Sequence, residues 1–151
     1  MNIIIIYTSM TGTTEQMANT IAAEFMKAGK NVVIKDSIEA QAAELISYDM
    51  ILIGSYTWGD GELPDELVDF YDELRSTDLT GKIVAIFGAG DSTYPHFATA
   101  VDILEETAKG QGGRILIDGL KTDRESEDIL TSSCRLYSKK LIEALELAWI
   151  H

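Results

Sequence analysis

The chain has 151 residues, 46% of them hydrophobic, enough for one domain with a real core and too few for a multidomain enzyme. Twenty-five acidic residues against 12 basic ones give a formal net charge of −13, which repels nucleic acid and anionic membrane surfaces and favours basic protein partners. A single cysteine, Cys134, excludes an internal disulfide and a cysteine-based metal site, and its helical context reads as a buried thiol in a cytosolic protein.

The apolar run from Ile3 to Ile6 has no basic leader and is too short for an export signal, so it is expected to be a buried strand. No stretch approaches the ~20 apolar residues needed to cross a bilayer. There is no internal repeat and no linker, so residues 1–151 read as one domain.

Short β-branched runs alternate with helical periodicity along the whole length, the pattern of a parallel sheet with crossover helices. The first strand is Ile3–Tyr7, and Met17, Ile21 and Phe25 then form one apolar stripe on a helix, Thr14–Lys27, that Gly29 ends. Asn31–Lys35 is the second strand, followed by a weakly patterned alanine-rich segment at Gln41–Leu45. Met50–Ser55 is wholly apolar and therefore central. Pro64 suits a first helical turn, with Leu67, Phe70, Tyr71 and Leu74 on the inward face. Lys82–Gly88 is the fourth strand; Phe97, Val101, Leu104 and Ala108 mark the next helix. Arg114–Ile117 with Leu120 is the fifth strand, and Leu130, Cys134, Tyr137, Leu141 and Leu145 mark a long closing helix. Right-handed crossovers then give an α/β, doubly wound five-stranded parallel sheet in the order 2-1-3-4-5, with helices on both faces.

Ligands in such sheets bind beyond the carboxyl ends of the strands, and the segments after strands one, three and four are the unusual ones. After strand one, Thr8-Ser9-Met10-Thr11-Gly12-Thr13-Thr14 offers five hydroxyl groups and a glycine at the start of a helix, an arrangement suited to cradling an anion. It lacks the lysine of a triphosphate-cleaving loop, so it suits holding one terminal phosphate without reacting with it; the same residues also read as a threonine-rich helix cap. After strand three, Tyr56-Thr57-Trp58-Gly59-Asp60-Gly61 places a tryptophan to cover a flat ligand or the edge of the core. After strand four, Gly88-Ala89-Gly90-Asp91-Ser92-Thr93-Tyr94-Pro95-His96-Phe97 offers a second flat wall in Tyr94. Strands one, three and four are neighbours in the expected order, so the three segments converge on one crevice suited to a phosphorylated aromatic ring system.

With these motifs together, the sequence resembles a flavodoxin of the short-chain type. Ser9-Met10-Thr11-Gly12-Thr13-Thr14 is similar to that family's phosphate loop, Thr57-Trp58-Gly59-Asp60 to its first flavin-flanking loop, and Gly90-Asp91-Ser92-Thr93-Tyr94 to its second. The resemblance implies noncovalently bound FMN, with its phosphate on residues 9–14 and its ring between Trp58 and Tyr94. Backbone groups of Thr57, Gly59, Asp60, Ala89, Gly90 and Asp91 are then expected at the polar edges of the ring, with Tyr56, Gly88 and Phe97 beside them. It also implies that the peptide after Gly59 reorients to accept a hydrogen bond from flavin N5–H in the one-electron state, which only glycine permits cheaply. Tyr56 and Met10 depart from residues commoner at those positions, and Met10 removes one hydroxyl donor from the phosphate loop.

The fully reduced, anionic ring would lie near Asp60, Glu62, Asp65, Glu66, Asp69, Asp72 and Glu73, a stretch with no basic residue before Arg75. Like charge and poor hydration make that state costly and the bound flavin a strong donor, although surface acids are screened and most also read as a solvated helix face. The implied function is a low-potential electron carrier in the cytoplasm, a monomer fed by a ferredoxin/flavodoxin–NADP reductase and serving redox enzymes with basic surfaces. The alternatives are an FMN-dependent oxidoreductase of the quinone or azo reductase kind, for which no nicotinamide-binding segment or lid is visible, and a dedicated activator of a metalloenzyme. A signalling receiver is excluded because Thr8, Ser9 and Ser55 stand where its acidic residues would be. A cysteine phosphatase is excluded because Cys134 lies in the last helix.

Overall fold

The computed structural model describes residues 1–57, 62–93, 98–123 and 125–150. Strands β1 (Asn2–Thr8), β2 (Asn31–Asp36), β3 (Met50–Tyr56), β4 (Ile83–Ala89) and β5 (Leu120–Thr122) form one sheet in the order β2-β1-β3-β4-β5, and every neighbouring pair is parallel. The connections carry α1 (Thr13–Lys27), a 3-10 helix (Ala42–Ser47), α2 (Asp65–Leu74) and α3 (Thr99–Gly110), and α4 (Glu127–Ile150) follows β5. This is the doubly wound sheet expected from the alternation.

A parallel sheet covered on both faces needs strands that are apolar at successive positions. Ile3, Ile4, Ile5 and Ile6 of β1, and Met50, Ile51, Leu52 and Ile53 of β3, are all fully buried. Successive side chains point to opposite faces, so each run supplies two cores. Ile3, Ile5, Met50 and Leu52 join Met17, Ile21 and Phe25 of α1 and Cys134 and Leu141 of α4. Ile4, Ile6, Ile51 and Ile53 join Leu45 of the 3-10 helix, Phe70 of α2 and Leu104 of α3. Gly54 pairs with Phe87 in the sheet, and a Cβ there would lie 2.1 Å from Phe87 Cε2. The missing side chain is what lets the Phe87 ring lie over β3.

Three expectations are corrected. The fifth strand is Leu120–Thr122, not residues 114–117; Arg114 makes only an isolated bridge to Ile83, while Leu120 pairs with Phe87. Between those two pairings β4 advances four residues and its partner six, so two extra residues force 115–119 out of the ladder, although Leu116 and Ile117 still pack against the α1–α4 core. The alanine-rich segment forms a 3-10 helix shifted to Ala42–Ser47, opened by a reciprocal capping pair in which Gln41 N–H donates to Glu44 Oε2 at 2.9 Å. Pro64 is extended (φ −61, ψ 146) and caps α2 from outside instead of occupying its first turn.

The registers bring the carboxyl ends of three strands together, with Thr8 opposite Ser55 and Tyr56 opposite Ala89. The unusual segments leave the sheet at this edge.

Candidate functional site

The turn after β1 is built from short-range interactions. Gly12 adopts a left-handed backbone (φ 92) as the N-cap of α1, which L side chains rarely tolerate, and its N–H donates to Ser9 Oγ at 3.0 Å. Gln16 N–H donates to Gly12 O at 2.9 Å and starts the helix. A glycine cap supplies no side chain to the first turn, so the N–H groups of residues 13–15 open onto the turn at the positive end of α1. Thr11 Oγ1 and Thr13 Oγ1 lie 3.4 Å apart beside them. Beneath the turn Thr8 and Thr14 are buried, and the Thr8 hydroxyl is hydrogen-bonded to that of Ser37. Met10 is 60% exposed, so its side chain borders solvent.

The segments after β3 and β4 are tied to each other. Thr57 N–H donates to Ala89 O at 3.1 Å, and Thr57 Oγ1 accepts from Ala100 N–H at 3.1 Å, capping the first turn of α3 from another part of the chain. A Cβ on Gly88 would lie 2.3 Å from Ser55 O, and one on Gly90 would lie 2.7 Å from Ala98 N. Both glycines are therefore required by close backbone approach. Gly90 N–H donates to Thr122 O at 2.9 Å, and Thr122 Oγ1 donates to Gly88 O at 3.2 Å. The N–H groups of Thr57 and Gly90 thus join the loops to one another. The Tyr56 hydroxyl donates to Glu66 Oε2 at 3.0 Å; burial first, then the Glu66 hydrogen bond and charge, push its pKa from the ordinary 10.0 to about 12.

These segments enclose a cleft of about 480 Å³. Ser9, Met10, Thr11, Thr13, Thr14, Tyr56, Thr57, Ala89, Gly90 and Asp91 line it, so residues separated in sequence by up to 82 positions meet there as the topology requires. Gly12 faces a second depression between α1 and α4, and Gly88 is buried, setting the approach of β4 to β3 and not lining the wall. Trp58, Gly59, Asp60, Tyr94 and Phe97 lie outside the described residues, as do His96 and His151.

Sequence reasoning missed one wall. Gln16, Ala98, Asp123, Glu125, Glu127 and Leu130 also line the cleft, Asp123 and Glu125 from the segment between β5 and α4 and Glu127 and Leu130 from the first turns of α4. The strand order contained the signal, because β5 lies beside β4 and its carboxyl end must open at the same edge. The described lining is thus rich in hydroxyl and N–H donors at the α1 end, small along β4, and acidic on the β5 side. It contains no cysteine, and Cys134 is fully buried in the α1–α4 core, where burial, then the Glu125 charge, push its thiol up to about 12. Among the described residues no group of three or more His, Cys, Asp or Glu is placed to hold a metal ion, and no helix is long and apolar enough to cross a membrane.

A cleft with hydroxyl and first-turn N–H donors at one end and small residues along β4 is suited to holding a ligand with an anionic end. The profile of the flavodoxin family matches residues 5–136, nearly the whole of the sheet and its crossovers. The chain belongs to the flavodoxin family. It is 39% identical over 127 residues to the flavodoxin of Maridesulfovibrio salexigens, covering 82% of this chain and 87% of that one. Oxidised flavodoxin 1 from Bacillus cereus has the same architecture with a TM-score of 0.90 and 39% identity, over 95% of this chain and 98% of that chain. A flavodoxin variant from Fusobacterium nucleatum, bound to flavin mononucleotide, shares the fold at 19% identity with a TM-score of 0.80, over 92% of this chain and 95% of that chain. Flavodoxins are electron carriers and not enzymes, and the protein is an electron carrier by this membership.

Proposed function

We infer that the protein is a single-domain, monomeric, cytoplasmic carrier that holds FMN noncovalently in the cleft at the ends of β1, β3 and β4. The observation that carries this reading is that the donor-rich turn Ser9, Met10, Thr11, Gly12, Thr13, Thr14 and the small-residue run Ala89, Gly90, Asp91 belong to one edge of the sheet, with ten of the expected residues around one cleft. Its volume of about 480 Å³ falls within the range of small-molecule sites, roughly 300–1,000 Å³.

The donor set fits a phosphate monoester. The first-turn N–H groups of α1, the hydroxyls of Thr11 and Thr13 and the helix dipole favour a compact anion without any lysine in the turn. Thr57 N–H to Ala89 O and Gly90 N–H to Thr122 O tie the ends of β3, β4 and β5 together beside the proposed ring end. Trp58 and Tyr94 are the proposed flat walls, and Gly59 the peptide that adapts to the oxidation state. When bound, FMN supplies the electron chemistry, and the polypeptide sets how readily charge is accommodated.

The proposed donor is a ferredoxin/flavodoxin–NADP reductase and the proposed acceptors are redox enzymes with basic surfaces. The exposed acids Glu62, Asp65, Glu66, Asp69, Asp72 and Glu73 support that choice, because they cover the start and outer face of α2, whose first turn meets the cleft residue Tyr56 through Glu66. The purified protein is expected to be yellow or, once stripped, to quench added FMN fluorescence in a one-to-one titration. It is expected to stay oxidised with NADPH alone and to be reduced on adding the reductase. A colourless protein that leaves FMN fluorescence unchanged would overturn the reading; direct bleaching by NADPH would replace the carrier with an oxidoreductase.

A further inference from the structure

The β5 strand is short, yet the alignment of β4 with it continues past the last ladder pair. Ala89 pairs with Thr122, Gly90 N–H then donates to Thr122 O at 2.9 Å, and Ser92 N–H donates to Asp123 Oδ1 at 3.0 Å. The Asp123 carboxylate thus stands where a longer strand would offer its next backbone carbonyl. Its other oxygen, Oδ2, accepts the Ser92 hydroxyl. On the adjoining residue, Asp91 Oδ1 accepts both the N–H and the hydroxyl of Thr93, at 3.0 and 2.7 Å, which closes the loop on itself. Both carboxylates line the cleft.

We propose that Asp123 is a positioning residue for cofactor binding, acting through Ser92 to hold the β4–α3 loop at the ring end of the cleft. This rests on the FMN reading above. The two acceptor oxygens of one carboxylate fix both the backbone and the side chain of Ser92, and a bidentate, charge-assisted contact defines an orientation better than a single neutral bond. Among the described residues of the loop, Gly90 to Thr93 belong to no helix or strand, so their position depends on such ties. Asp123 therefore sharpens the grip on the ring, while the α1 turn grips the phosphate separately.

The test compares FMN with riboflavin, which has the ring and lacks the phosphate, by fluorescence titration of stripped protein. Asp123→Ala is expected to weaken both ligands about tenfold, the scale of one lost charge-assisted hydrogen bond, and to leave the ratio of their dissociation constants unchanged. Asp123→Asn retains an acceptor for Ser92 N–H and a donor for its hydroxyl, so it is expected to stay within about threefold of the parent. Ser92→Ala is expected to cost about threefold, and adding Asp123→Ala to it is expected to cost less than Asp123→Ala does alone. Should Asp123→Ala fail to fold, the Asn and Ser92 variants decide the matter. A loss confined to FMN, or equal losses for the Ala and Asn variants, would overturn the assignment, as would parent-like binding by all variants. A parent protein that binds neither ligand would instead overturn the FMN reading.

Discussion

Two segments border the same cleft and are held in opposite ways. The turn after β1 is fixed by its own neighbours: Gly12 N–H reaches Ser9 three residues back, and its left-handed backbone starts α1 without help from elsewhere. The described start of the loop after β4 adds to its own Asp91–Thr93 contact a tie from afar, Asp123 at a separation of 31 residues from Ser92, and the start of α3 is capped by Thr57, 43 residues from Ala100. A local turn forms with its helix and survives changes elsewhere, whereas a loop tied across three strands is only as well placed as the sheet beneath it. The expected consequence is an α1 end of the cleft robust to distant substitution and a β4 end sensitive to it.

The sharpest way to break the distant scaffold is Gly88→Ala. The added Cβ would meet Ser55 O at 2.3 Å, a backbone atom within the paired β3–β4 region, and Val101 Cγ2 at 2.8 Å. Urea unfolding is expected to show a loss of about 3 kcal/mol, at the upper end of overpacking penalties. Gly12→Ala probes the local turn instead. Its Cβ meets nothing within 4 Å, so only the left-handed backbone is penalised, and a loss of about 1–2 kcal/mol is expected by the same measurement. A larger loss at Gly12 than at Gly88 would reverse the comparison.

A smaller effect is expected at the link between the loops. Thr57→Val keeps the shape and removes the acceptor for Ala100 N–H, so stability should fall by about 1 kcal/mol and amide exchange should quicken at the start of α3. Unchanged exchange there would show that the long-range cap is dispensable. The smallest effect concerns Tyr56. Its pKa is raised, so the neutral phenol is favoured in the fold: that contribution is complete below pH 10.0 and is lost as pH rises through about 12. Glu66→Gln should move the phenol titration downward, read by ultraviolet absorbance against Tyr56→Phe, with the burial contribution remaining. No downward movement would mean that Glu66 does not act on the ring end through this contact.

The same contrast explains what could be read from the residues alone. The α1 stripe of Met17, Ile21 and Phe25 and the apolar runs of β1 and β3 are short-range patterns, and they lead directly to the observed sheet order. The turn before α1 was legible because its hydroxyls, its glycine and the helix start are contiguous. Asp123 was not, because its role exists only once Thr122 is paired with Ala89. The fifth strand was misplaced for a related reason: the β-branched residues Ile115 and Ile117 look like a strand, and their length mismatch against β4 appears only when Arg114 and Leu120 find their partners. Pro64 could equally start a helix or stand just outside one, and its extended backbone decides for the latter.

The two surplus residues between the Arg114 bridge and Leu120 leave the far margin of the sheet with slack. Because closure entropy grows only logarithmically with loop length, chain grafted at the exposed Asp118 costs little for each added residue, whereas Ile115, Leu116 and Ile117 pack against the cores and Gly119 N–H is held by Glu105 Oε1. That position is accordingly a port through which a tether or reporter can be attached while the cleft keeps its shape.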